Sequence, residues 1–132
     1  MAPMRSDEIW DYRWGQVQIL VVRGDLDAYL AVDLSAYLER ALAGSPAEVL
    51  VDLEEVRFMD AAALGVLESA LQRARAHGGD LRLVAPSAPV DRLLRLTHME
   101  GHFPVESDLI AAFERSAGIA DPQSESGCDG AA

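Results

Sequence analysis

VLVDLEEVRFMDAAALGVLESAL, residues 49–71, is the stretch whose reading decides the fold. Val49, Leu50, Val51 and Leu53 make a nearly continuous apolar run, which suits a strand covered on both faces of a parallel sheet. A short acidic connection follows, and a helix is predicted from about Ala61 to Ala76. Asp60 is a good N-cap, because its carboxylate can accept hydrogen bonds from N–H groups that the first helical turn leaves free. Met59 and Leu64 stand at the two positions of a hydrophobic staple, which sets the angle at which the chain enters the helix. Ala61, Ala62 and Ala63 leave the helix start bare of polar side chains.

Upstream, residues 8–14 (EIWDYRW) alternate, with Trp10, Tyr12 and Trp14 on one face and Asp11 and Arg13 on the other. That is the pattern of a half-buried strand. Gly15-Gln16 can turn it into a second strand over 17–23, closing an N-terminal hairpin. Three aromatics on one strand face can form an interaction surface, but their ordinary fate is core or sheet cover, and that is the expectation here. Gly24-Asp25-Leu26-Asp27 reads as a turn. Leu30, Leu34, Tyr37, Leu38 and Ala41 then recur on one side of a helix, which Gly44 ends and Pro46 prevents from continuing. Strand, helix and the strand at 49–53 form a crossover that should be right-handed.

Downstream, Leu64, Leu67, Leu71 and Ala74 face the sheet, and Gly78-Gly79 closes their helix. Leu81, Leu83 and Ala85 alternate with Arg82 and Val84 in a further strand. Ser87 is placed to cap a third helix that buries Val90, Leu93, Leu94 and Thr97. The loop HMEGH leads to a short edge strand around 103–105, and Ser107 is placed to cap a last helix with Leu109, Ile110 and Phe113 inward. Residues 117–132 hold no aromatic and one large aliphatic, Ile119, which is too little apolar area to order them. The expected architecture is α/β: one domain over 1–116, with a mixed sheet of four to five strands and about four helices, and then a disordered tail.

Composition narrows the function. A chain of 132 residues, half of them hydrophobic, buries about two-thirds of its unfolded surface without disulfides. A net charge of −11 argues against nucleic acid, whose phosphates are held by Lys and Arg clusters, and favours solubility and a basic protein partner. No apolar run approaches the roughly 20 residues that span a bilayer, so no membrane insertion is expected. MAPMRSDEIW lacks the apolar stretch of a signal peptide, and Cys128 stands alone, so a reducing cytoplasm is the expected setting.

Asp25, Asp27 and Asp60 are predicted at the carboxyl ends of strands, the edge at which open α/β sheets bind ligands and partners. Three carboxylates there can be read as a Mg²⁺ site of a small metal-dependent phosphatase. Against that, neither loop offers Lys, Arg, Ser or Thr to handle a phosphoryl group, while turn chemistry and capping explain all three residues. His98 and His102 are four apart, but Gly101 between them indicates a loop, and no cysteine completes a zinc set. There is no glycine-rich phosphate loop and no nucleophile–base constellation. Neither an enzyme nor a cofactor or metal is expected.

Taken together, G-D-L-D at 24–27, V-D-L at 51–53, F-M-D at 58–60, L-G at 64–65 and Gly78-Gly79 before Leu81-Arg82-Leu83-Val84 follow a recognisable order. With the apolar spacing of Val90, Leu93 and Leu94, the chain resembles the STAS domain family over roughly residues 8–115. Within it, the chain resembles the free-standing bacterial anti-sigma factor antagonists. The resemblance implies a partner, an anti-sigma factor of the serine-kinase type, and a switch. The unmodified antagonist binds that partner and frees a sigma factor; phosphorylation of a serine at the helix start then dissociates the complex. It also implies a docking surface made of Asp25, Leu26, Asp27, Ala28 and Tyr29 from one segment, with Asp60, Ala61, Ala62, Ala63 and Leu64 from the other. Ala62 holds the phosphoacceptor position, and alanine has no oxygen to phosphorylate. The implied protein is an antagonist that is permanently active or regulated by other means, with room for a weak homodimer. The alternative that the same resemblance implies is a STAS subunit of a lipid-transport or stress-signalling scaffold complex.

Overall fold

The computed structural model describes residues 8–43 and 48–116. Five strands form one sheet in the order β1-β2-β3-β4-β5, which is also their order along the chain. β1 (Ile9–Trp14) runs antiparallel to β2 (Val17–Leu26), while β3 (Glu48–Met59), β4 (Asp80–Val84) and β5 (Val105–Glu106) add on in parallel. Each parallel step needs a crossover. α1 (Ala28–Ala41), α2 (Ala61–Ala76) and α3 (Ala88–Leu96) supply the three, and α4 (Leu109–Ser116) follows β5. The mixed sheet with four helices is the architecture expected from the pattern.

The apolar run in β3 is buried on both sides, as a strand of its kind requires. Val49, Val51 and Leu53 point into the larger core with Leu20, Val22, Leu81 and Leu83, where they meet Leu34 and Leu38 of α1, Leu67 and Leu71 of α2 and Leu94 of α3. Leu50 points the other way, into a smaller core with Val17, Ile19, Val84 and Ala112 of α4. Each fully buried leucine contributes about 1.5–3 kcal/mol relative to exposure, so the larger core dominates stability. Among the described residues, one sheet face is thus covered by three helices and the other by α4.

Several local expectations are corrected. β3 does not stop at Leu53 but continues to Met59, and β2 does not stop at Arg23 but continues to Leu26. The acidic connection and the Gly24–Leu26 turn are therefore strand, paired Gly24↔Val56, Asp25↔Phe58 and Leu26↔Met59 past register shifts. Bulges disturb strict alternation, so Leu53, Val56 and Met59 are buried at intervals of three and do not read as a strand. Ser87 stands at the N-cap of α3, but its hydroxyl donates to the Val56 carbonyl at 2.7 Å and does not cap the helix. Thr97 is exposed at the end of α3. Asp108, not Ser107, accepts from the start of α4 at Ala111 N–H, and Ile110 faces solvent. Phe103 is buried before β5, which is only Val105–Glu106.

The aromatic stripe of β1 is partial sheet cover and not core. Trp14 stacks on Phe113 of α4 with centroids 4.1 Å apart, and the Arg23 guanidinium lies 5.0 Å above Trp10. Even so, Trp10 and Tyr12 remain 40% exposed and Trp14 48%. The sites read as helix terminators, Gly44 and Pro46, and the tail 117–132 with Cys128 lie outside the described residues.

Candidate functional site

β2 and β3 are parallel neighbours, so their carboxyl ends deliver α1 and α2 side by side. The Asp60 N–H donates to the Leu26 carbonyl at 2.9 Å, which ties the two strand exits together. Asp27 caps α1, accepting from Leu30 N–H at 2.9 Å; Asp60 caps α2, accepting from Ala62 N–H at 2.7 Å. Both caps hold extended backbone, with φ near −89° and −88°, as an N-cap requires. Gly24 takes φ +89° just before this edge, a conformation that other residues adopt only with strain.

The segments named in advance are brought together, but their ten residues divide into two sets. Asp25, Ala28, Tyr29, Ala61 and Ala62 are open to solvent, Tyr29 at 87%, and the capping residues Asp27 and Asp60 are half-buried. Leu26, Ala63 and Leu64 are buried in the larger core, at 0%, 0% and 4% exposure. The expectation that those three present side chains to a partner is corrected. They anchor the site from beneath, because strand alternation and the helical stripe both turn them inward.

Between α1 and α2 lies a groove of about 460 Å³, whose lining is predominantly apolar: Ala28, Ala31, Val32, Ser35, Ala36 and Glu39 on α1 face Ala62 and Val66 on α2. Val32, Ser35, Ala36, Glu39 and Val66 are absent from the site expected from sequence. Val32 is the signal that was available: a β-branched aliphatic off the buried stripe of α1, 68% exposed. A second depression of about 390 Å³ is acidic, lined by Glu8, Asp25, Asp27, Tyr29 and Asp33 with Arg57. Arg57 Nε contacts Asp25 Oδ1 at 3.4 Å, an exposed pair worth well under about 1 kcal/mol.

Asp25 is engaged by Arg57, Asp27 by the start of α1 and Asp60 by the start of α2, so each carboxylate already serves the fold. Among the described residues no group of three His, Cys, Asp or Glu is arranged to hold a metal ion. His102 is held through Nε2 by Glu68 of α2, while His98 sits exposed on a left-handed backbone with φ +61°. Among the described residues no helix is long and apolar enough to cross a membrane.

A mixed sheet in which two neighbouring parallel strands end in adjacent capped helices defines a small α/β domain. The family model of the STAS domain matches residues 13–112, and the chain belongs to that family. Solved structures share the fold. An anti-sigma factor antagonist from Mycobacterium paratuberculosis is 24% identical, with 88% of this chain and 97% of that one covered and a TM-score of 0.74. The anti-sigma factor antagonist SpoIIAA in its unphosphorylated form is 17% identical over 86% and 99% of the two chains, with a TM-score of 0.75. The phosphorylated form of the Bacillus cell fate determinant SpoIIAA is also 17% identical, over 81% and 97%, with a TM-score of 0.66.

Proposed function

We propose that this chain is an anti-sigma factor antagonist that docks through the α1–α2 groove and its acidic flank, and that lacks the phosphoacceptor serine of its relatives. The partner is a serine-kinase type anti-sigma factor, bound in competition with a sigma factor, in the cytoplasm. The observation that carries the reading is Ala62: exposed at the start of α2, lining the groove, with a methyl where a phosphoacceptor would place an oxygen. Structures of SpoIIAA in unphosphorylated and phosphorylated forms support a phosphate switch among proteins of this fold. A phosphate at the helix start would be favoured locally by the positive end of the helix dipole, yet would force up to two negative charges into a packed apolar groove. With alanine at 62 that step is missing, and the antagonist stays in its binding form.

Incubation with its kinase-type anti-sigma factor and ATP should leave the chain unmodified and bound. Ala62→Ser should take up one phosphate and be released, at little cost in stability, since serine is acceptable in a first helical turn. Ser35 is the hydroxyl to watch, because it lines the same groove from α1. Phosphate found by mass spectrometry on Ser35 or Ser69 of the unaltered chain would show that the switch has moved. If Ala62→Ser binds the partner and is never phosphorylated, the second reading leads: a STAS subunit of a lipid-transport or stress-signalling scaffold.

A further inference from the structure

Among the described residues β1 is an outer strand of the sheet, and its outward side has a self-complementary sequence. Arg23 N–H donates to the Glu8 carbonyl at 2.9 Å, and the register continues Ile9↔Val22, Trp10↔Val21, Asp11↔Leu20. In an antiparallel pair the bonded residues alternate. Trp10, Tyr12 and Trp14 therefore turn their main-chain groups toward β2, while Ile9, Asp11 and Arg13 turn theirs outward. The Tyr37 hydroxyl of α1 donates to the Ile9 carbonyl at 3.0 Å, as an outward group at that position requires. Among the described residues, no main-chain group from outside the sheet meets the N–H and C=O groups of Asp11 and Arg13.

We propose that this edge pairs with the same edge of a second copy of the chain, antiparallel, about a two-fold axis at Tyr12. In that register Asp11 of each copy faces Arg13 of the other. Their outward N–H and C=O groups make four main-chain bonds across the junction. Tyr12 meets its own copy, and Trp10 meets Trp14, at the non-bonded positions where cross-strand side chains approach most closely. Charge selects the register. The adjacent two-fold pairings that keep outward groups facing would set Asp11 against Asp11 or Arg13 against Arg13. A chain of net charge −11 repels its copies broadly, and here Asp11 and Arg13 cancel. Arg40 at 3.3 Å and Gln18 at 3.4 Å hold the Asp11 carboxylate in place, and the Phe113 stack holds Trp14. The half-exposed aromatic stripe thereby gains its other half. The docking groove between α1 and α2 is not used, so the pairing does not depend on the function proposed above.

Sedimentation velocity of the full chain should show a dimer that grows with concentration. Arg13→Glu replaces both attractive cross-strand pairs with repulsive ones and should raise the dissociation constant on the order of ten-fold. Register is read by cross-linking in a Cys128→Ser background. Tyr12→Cys should form a disulfide dimer in oxidising buffer, while Trp10→Cys should not, because its own copy lies four positions away. A chain that stays monomeric at every concentration overturns the proposal. So does a dimer that Arg13→Glu leaves unchanged, or equal cross-linking of Tyr12→Cys and Trp10→Cys. A dimer that appears only after residues 1–7 are removed assigns the edge to that segment and likewise overturns it.

Discussion

Leu26 and Ala62 lie at the same edge of the sheet and answer to different forces. Leu26 is wholly buried, so Leu26→Ala should cost about 2–5 kcal/mol through lost transfer energy and the cavity left behind. Urea denaturation should show this directly, and any loss of partner binding in that variant would follow from unfolding. Ala62 is exposed with its N–H on Asp60, and a carboxylate there is welcome to the helix N-terminus. Ala62→Glu should therefore keep the melting temperature of the parent and abolish partner binding by calorimetry, because the charge enters the groove. A marked loss of stability in Ala62→Glu would contradict that separation of roles.

At the level of elements, the two helix starts and the α3–β3 contact are held by single polar groups. Asp27→Ala and Asp60→Ala each remove a cap and should cost about 1 kcal/mol, measured as additive shifts in thermal unfolding. Ser87→Ala is expected to cost a similar amount, about 1 kcal/mol, for a different reason. It deprives the Val56 carbonyl of its hydroxyl donor, which ties the α3 entry to β3. Amide exchange should then quicken at the far end of β3 and leave the interior of α3 as it was. Faster exchange confined to the first turn of α3 would restore Ser87 to the role of a cap.

For the molecule as a whole, acidity carries a cost that one residue makes measurable. Burial, then the neighbouring Asp80, raises the Glu48 carboxyl above its usual range, and Arg82 only partly opposes them. The folded state therefore holds this proton more tightly than the unfolded chain does. Glu48 is most favourable to folding below the usual glutamate range, and that advantage is lost as pH rises through the usual value to the raised one. Glu48→Gln should stabilise the protein at neutral pH and have little effect in acid, where both states are already protonated. Denaturation midpoints of the two chains at neutral and acidic pH should converge on acidification. Midpoints that stay parallel would mean that the packing of Glu48, not its charge, sets its effect.

Local patterns were enough for much of this protein. The apolar run 49–53 specifies a strand buried on both faces, Asp60 marks a helix start and Gly15 a hairpin turn, because hydrophobic period, capping and turn chemistry act within a few residues. The order of strands and helices followed from those signals, and so did the edge that gathers Asp27 and Asp60. The lengths of β2 and β3 were hidden, since bulges break the alternation and only pairing with a neighbouring strand holds Glu55, Val56 and Phe58 in extended form. The groove shared by Ala62 and Ser35 and the use of Ser87 on Val56 were decided by tertiary structure alone. Each depends on two segments far apart in the chain meeting at one place, and no local pattern encodes which face of one will meet the other.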